Sequence, residues 1–225
     1  MDVRALMLAD SRFPGGGHVH SGGLEEAAAR GLVRTEDDLP AFLLGRLRTA
    51  GTLSAVFAAA ASSGFSDWSI VDAELDARTP SAAQRAASRA QGRATARAAG
   101  VMVVHSVDGG CGEPLRAMLS ATPHPHHAVV LGVLAGAPEP AAQAAAYLSV
   151  SGPASAGVRL LGLDPLRVNA IVWDLAPSID AVVRFAVDSS GLPPADLPAP
   201  GSPGLDLLAE EHDRHHREEV RLFAS

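Results

Sequence analysis

The chain has 225 residues, 47% of them hydrophobic but only 4% aromatic, and a formal net charge of -7. That length can bury one substantial core, and alanine in such excess favours helices that pack at close range. The acidic balance excludes the basic stripe of a nucleic-acid binder and suits a basic protein partner.

Val3, Leu6 and Met7 mark a first helix that stops at Phe13-Pro14, because the residue before proline is pushed out of the α region. Gly15, Gly16 and Gly17 follow, then His18 and His20 on either side of Val19. Ser21 offers an N-cap for a helix with Glu25 and Glu26 in its first turn, ending near Gly31. A loop this rich in glycine and histidine is costly to order, so it reads as a site rather than a spacer.

Thr35 with Glu36, Asp37 and Asp38 predicts the next N-terminus, with Pro40 where proline is tolerated. Phe42, Leu43, Leu47, Leu53 and Phe57 recur at helical spacing to about Ser63, and Asp67 opens a helix carrying Trp68, Val71 and Leu75. Ser81 to Val104 is a long alanine-rich helix with Arg85, Arg89, Arg93 and Arg97 in a stripe, either a solvated face or a contact for an acidic partner or phosphate. Asp108 to Gly112 is a loop, and the next helix runs from about Pro125 to Ala137, entered by His124, His126 and His127. Pro140 to about Leu163 forms a further helix, bent at Gly152-Pro153. Asp164-Pro165 starts one through Val168, Ile171 and Val172, and Ile179, Val182, Val183 and Phe185 make another.

Leu192 to Gly204 carries five prolines and two glycines and reads as an extended linker to a charged tail helix. No period-two strand and no tandem repeat appears. The expectation is all-α: a single-domain helical bundle over 1–191, a Pro/Gly linker over 192–204, and a C-terminal helix and tail over 205–225. The lone Cys111 permits no internal disulfide and suits a reducing cytosol. Asp2, Arg4 and Asp10 break any apolar leader, and Pro140 to Val158, a long uncharged window, is too polar to span a bilayer. The expected location is cytoplasmic, with no membrane partner.

Known catalytic signatures are missing. The glycine run lacks the Gly-Lys-Ser/Thr of a phosphate loop, and the chain contains no lysine at all. No Cys-x-x-Cys, His-Glu-x-x-His or Gly-x-Ser-x-Gly occurs. Histidine is the more suggestive element. His18 and His20 lie two apart, His124, His126 and His127 cluster at a helix start, and His212 and His216 sit four apart on the tail helix, beside His215. Neutral imidazoles suit nickel or zinc. The same residues also read as loop-shaping groups at His18 and His20, a capping or packing cluster at the helix start, and a solvated charged face in the tail, the last being the favoured reading there.

The run Leu-x-Leu-Ala-Asp-Ser-Arg-Phe-Pro-Gly-Gly-x-His-x-His-Ser-x-Gly-Leu-Glu, ending at Glu25, resembles the N-terminus of the urease accessory protein UreF family. Further segments resemble that family in order: Val71 to Leu75 with Arg78, Arg85 to Ser88 with Gln91-Gly92-Arg93, His126 to Gly132, Tyr147-Leu148 with Ala156 and Arg159-Leu160, and the closing Val220 to Ser225. Three places depart from it. His18-Val19-His20 replaces the usual Phe-Ser-Tyr, Gly162 to Pro165 replaces Gly-Gln-Thr-Asp, and the tail aligns through either His212 or His215.

The resemblance implies a nonenzymatic all-helical scaffold of urease maturation. Such a protein dimerises, binds UreD (also called UreH), recruits or modulates the GTPase UreG, and docks on apo-urease for nickel insertion. Nickel would then be in transit rather than a tightly bound cofactor. It points to Glu25, with His18, His20 and Ser21, for contact with the GTPase, and to Arg221, Leu222, Phe223 and Ser225 as an anchor on UreD. The residues alone leave two rivals: a metal-dependent hydrolase using the histidine clusters, and a nickel storage or sensor protein using the tail histidines. Candidate metal ligands on this reading are His18, His20, His212 and His216.

Overall fold

The computed structural model describes residues 3–62, 67–104 and 111–215, with the side chains of His18, Val103 and Val104 outside the description. Among the described residues every regular element is helical. The helices are α1 (Val3–Ala9), α2 (Leu24–Ala29), α3 (Leu39–Arg46), α4 (Thr52–Ser62), α5 (Trp68–Ala77), α6 (Ala82–Val104), α7 (Gly112–Ala121), α8 (His127–Ala135), α9 (Pro138–Leu161), α10 (Pro165–Asp174), α11 (Ala176–Ser189) and α12 (Pro203–His215). The all-α expectation holds.

At the centre, α4 packs against both α8 and α9. Nearly every side chain of α4 is buried, and so is α8 from Ala128 to Ala135. Alanines Ala55 and Ala58 to Ala61 make this packing tight. At Gly132 a Cβ would overlap the carbonyl oxygen of Ala58, so α8 crosses α4 backbone against backbone. Around this hub lie α6, α11 and α1, with α10 closing over α9.

Local chemistry sets most boundaries. The Asp67 carboxylate accepts the Ser69 N–H at 2.9 Å, and Asp164 accepts that of Leu166 at 2.9 Å, so both aspartates cap their helices. Before α3 the Asp38 carboxylate folds back instead onto the N–H groups of Arg34 and Thr35 and makes no side-chain cap to the helix. Helix α3 starts at Leu39 rather than just after Thr35. A single π turn, Leu47–Gly51, joins α3 to α4, with the Thr52 hydroxyl donating to the Leu47 carbonyl at 2.9 Å.

Two features differ from the sequence reading. Helix α7 occupies a stretch where no helix was expected, with Leu115 and Met118 turned into the core. The arginine stripe of α6 also splits. Arg89 pairs with Asp72 at 3.0 Å and Asp76 at 2.6 Å, and Arg85 donates to the carbonyls of Thr79 and Pro80, whereas Arg93 and Arg97 face solvent. Only the outer half of the stripe is the solvated face.

The proline-rich segment after α11 lies against α5. A short 3-10 turn, Pro194–Asp196, leads into buried Leu197, and the Ala195 carbonyl accepts from Arg78 at 2.6 Å. From there α12 runs back over α6 and α2. No described helix is long and apolar enough to cross a membrane.

Candidate functional site

The glycine-rich loop turns on three left-handed residues, Gly16 (φ 76°), Gly22 (φ 62°) and Gly23 (φ 90°). Gly22 is also pressed from one side. A Cβ there would come within 2.7 Å of the Arg46 guanidinium carbon and 2.9 Å of the Pro153 ring. Arg46 Nη1 donates to the Gly22 carbonyl at 2.7 Å, and Nε donates to the Ser149 carbonyl at 3.0 Å. The loop is thereby held to α9 by a cation. Burial pulls the Arg46 pKa down to about 10, which still leaves it charged at neutral pH.

Next in sequence is α2, whose first turn sits beneath α12. Gly23 rather than Ser21 occupies the capping position, and Ser21 Oγ instead accepts the Glu25 N–H at 3.4 Å. The Glu25 side chain is 15% exposed, facing buried His212 with Oε2 3.9 Å from Nε2. The expected exposed carboxylate is therefore covered, because the tail helix packs over it. Its neighbour Glu26 is buried and binds Arg30 Nε at 2.8 Å. Arg30 also reaches Glu211 at 3.0 Å, and His215 lies 3.4 Å from Glu26 and 3.5 Å from Glu211.

The other flank of α12 caps α6. Glu210 accepts from the Ser81 hydroxyl at 2.7 Å and the Ala83 N–H at 3.0 Å, while Ser81 Oγ takes the Gln84 N–H at 3.1 Å. Carboxylate at a helix N-terminus is favourable both for the orphan N–H groups and for the helix dipole. These hydrogen bonds lower the Glu210 pKa from its ordinary value. Gln84 Nε2 adds a bond to Asp206 at 2.9 Å.

Behind the loop is a cavity of about 490 Å³, with His20, Arg46, Gln91, His127 and Tyr147 among its walls. Of the cluster at the start of α8, His126 is fully engaged. Its ring nitrogens lie 3.0 Å from Ser88 Oγ and 3.1 Å from Asp76 Oδ1, and its N–H donates to Asp72 at 2.7 Å. Burial, reinforced by nearby His20, pushes the His127 pKa down to about 4, so its ring is neutral at physiological pH. His124 is exposed and offers its carbonyl to Arg89. The reading of a satisfied capping and packing cluster holds for His126.

The structure thus brings His212 to Glu25 from far along the chain, with Ser21 bonded to the Glu25 N–H. His20 and Ser21 are buried. The His18 side chain, His216, Arg221, Leu222, Phe223 and Ser225 lie outside the described residues. Sequence reasoning missed Arg46, and it missed the set formed by Glu26, Arg30, Glu211 and His215. Spacing carried part of that signal, since Glu26 with Arg30 and Glu211 with His215 are each four apart on a helix.

A family model described as UreF matches residues 33–176. A protein of Mycobacterium sp. (strain JLS), "Urease accessory protein UreF", is 43% identical over 223 residues, covering 98% of this chain and 97% of that one. Proteins of the same name from Mycobacterium bovis (strain BCG / Pasteur 1173P2) and Mycolicibacterium vanbaalenii are 44% and 43% identical, covering 94% and 98% of this chain and 94% and 97% of theirs.

Proposed function

The chain belongs to the UreF family of urease accessory proteins, and we propose that it serves urease maturation as a nonenzymatic scaffold joining UreD (UreH) to the GTPase UreG on apo-urease. Nickel is the cargo that the assembly passes to urease, and the scaffold works as a homodimer in the cytoplasm. The observation that carries this reading is the seating of α12 on α2, with His212 3.9 Å from Glu25. It sets the end of α12 at His215 against α2, just after the glycine-rich loop. The anchor proposed at Arg221, Leu222, Phe223 and Ser225 follows this helix in the sequence.

In this reading Glu25 and His18 belong to the surface offered to the GTPase. Buried His20 and Ser21 act from behind by holding the loop's shape. Glu25 becomes available when the tail helix is drawn onto its own partner, so docking of the tail and docking at the loop are coupled. Co-purification with UreD and UreG tests this. Glu25→Ala should keep the melting temperature and UreD recovery while losing UreG, and deletion of residues 221–225 should lose UreD. Normal recovery of both partners by both variants would overturn the reading.

A further inference from the structure

We propose that Glu26, Glu211 and His215 form a binding site for a borderline divalent cation, nickel or zinc, that fastens α12 to α2. Among the described residues they form the one group of three in which a ligand atom from each lies within 4.8 Å of the others. Bonds of about 2.0–2.2 Å to nitrogen and oxygen place neighbouring ligand atoms about 3–3.5 Å apart around such an ion; His215 Nδ1 already lies 3.4 Å from Glu26, while Glu211 faces Nε2 at 3.5 Å and must draw over to the same nitrogen. Glu211 and His215 are four apart on α12 and share a face. Glu26 approaches from α2.

Proximity of acids alone is no argument for a metal, and the state of Glu26 supplies a second one. Its side chain is only 2% exposed. Oε1 takes the Arg30 Nε hydrogen bond, while buried Oε2 accepts none among the described residues. A buried carboxylate oxygen without a donor is costly, and a cation would satisfy it. Two carboxylates and an imidazole suit nickel or zinc, whereas magnesium and calcium prefer all-oxygen shells.

Arg30 holds the place of that cation in this structure, bonded to both Glu26 and Glu211. Its side chain is 44% exposed, so it can swing into solvent as the metal enters. His215, at 53%, gives the ion a way in. The outcome is an exchange of one positive charge for two across the α2–α12 contact. The site does not depend on the scaffold reading, since it concerns the chain without partners.

Titration calorimetry of the full chain with nickel sulfate and with zinc sulfate tests the site. His215→Ala and Glu211→Gln are both at the exposed edge, and circular dichroism should find them folded. Each should weaken binding by at least about tenfold, as loss of a direct ligand should cost no less than loss of a supporting group. Metal should raise the melting temperature of the parent chain and leave that of His215→Ala nearly unmoved. Arg30→Gln, lacking the competing cation, should bind several-fold tighter. Equal affinity in the parent and both ligand variants would overturn the proposal, as would the absence of any binding.

Discussion

Arg46 donates from Nε, across 3.0 Å, to the carbonyl of Ser149, which lies four residues before Pro153 in α9. Proline has no N–H, so helix geometry alone would leave that carbonyl without a donor. The same guanidinium fixes Gly22 of the glycine-rich loop. Among the described residues no carboxylate pairs with Arg46, so a helix defect and a loop are secured together by one cation held on carbonyl groups.

Arg46→Met should therefore cost about 2 kcal/mol in urea unfolding, in line with losing hydrogen bonds from a charged donor. Pro153→Ala restores the missing N–H, so Arg46→Met should cost distinctly less in that background. Strict additivity in the double-mutant cycle would separate the two residues.

Two glycines of α6 should respond with opposite signs. At Gly92 a Cβ would overlap the Pro125 carbonyl oxygen, whereas nothing lies within 4 Å of the corresponding point at Gly100. Gly92→Ala should destabilise by about 2 kcal/mol or more through overpacking. Gly100→Ala should stabilise by up to about 1 kcal/mol by lowering the helix's entropy cost. Urea midpoints of the two variants decide this, and the close approach at Gly92 also explains the Gln91-Gly92-Arg93 motif.

His127 makes stability depend on pH. Its folded pKa of about 4 lies below the ordinary 6.5, so above pH 6.5 it is neutral folded or unfolded and contributes nothing. Below that, the unfolded chain takes up a proton that the folded chain refuses, and stability falls until about pH 4. His126, also depressed by burial, adds to the loss in the same direction. His127→Gln should recover on the order of 2 kcal/mol at pH 4 and nothing at pH 7.5. Denaturation series at the two pH values measure the difference.

Local signals were legible wherever the interaction is local. Asp67 and Asp164 announce their caps, Gly31 closes α2, and the apolar spacing of Leu43, Leu47 and Phe57 runs straight through the π turn without registering it. Helix α7 was legible too, since Leu115 and Met118 are three apart behind an early proline, but the neighbouring glycines drew attention away. Burial of Glu25 and His212 could not be read, because each is covered by the other's helix across a long stretch of chain. Arg89 is a case of the same kind: spacing left its stripe open between a solvated face and an anionic contact, and the acids that decide it arrive from α5. Pro153 was visible as a helix defect, while its remedy in Arg46 was not.

The contact of α8 with α4 at Gly132 bears on where this protein can change shape. Ridges of alanine laid backbone to backbone have no long side chains to exchange one rotamer for another, and sliding them apart would open voids that nothing nearby could fill. The hub must therefore behave as a rigid block. Structural responses to a docking partner are left to the periphery, where α12, α2 and the glycine turn are joined by polar contacts that can be remade one at a time.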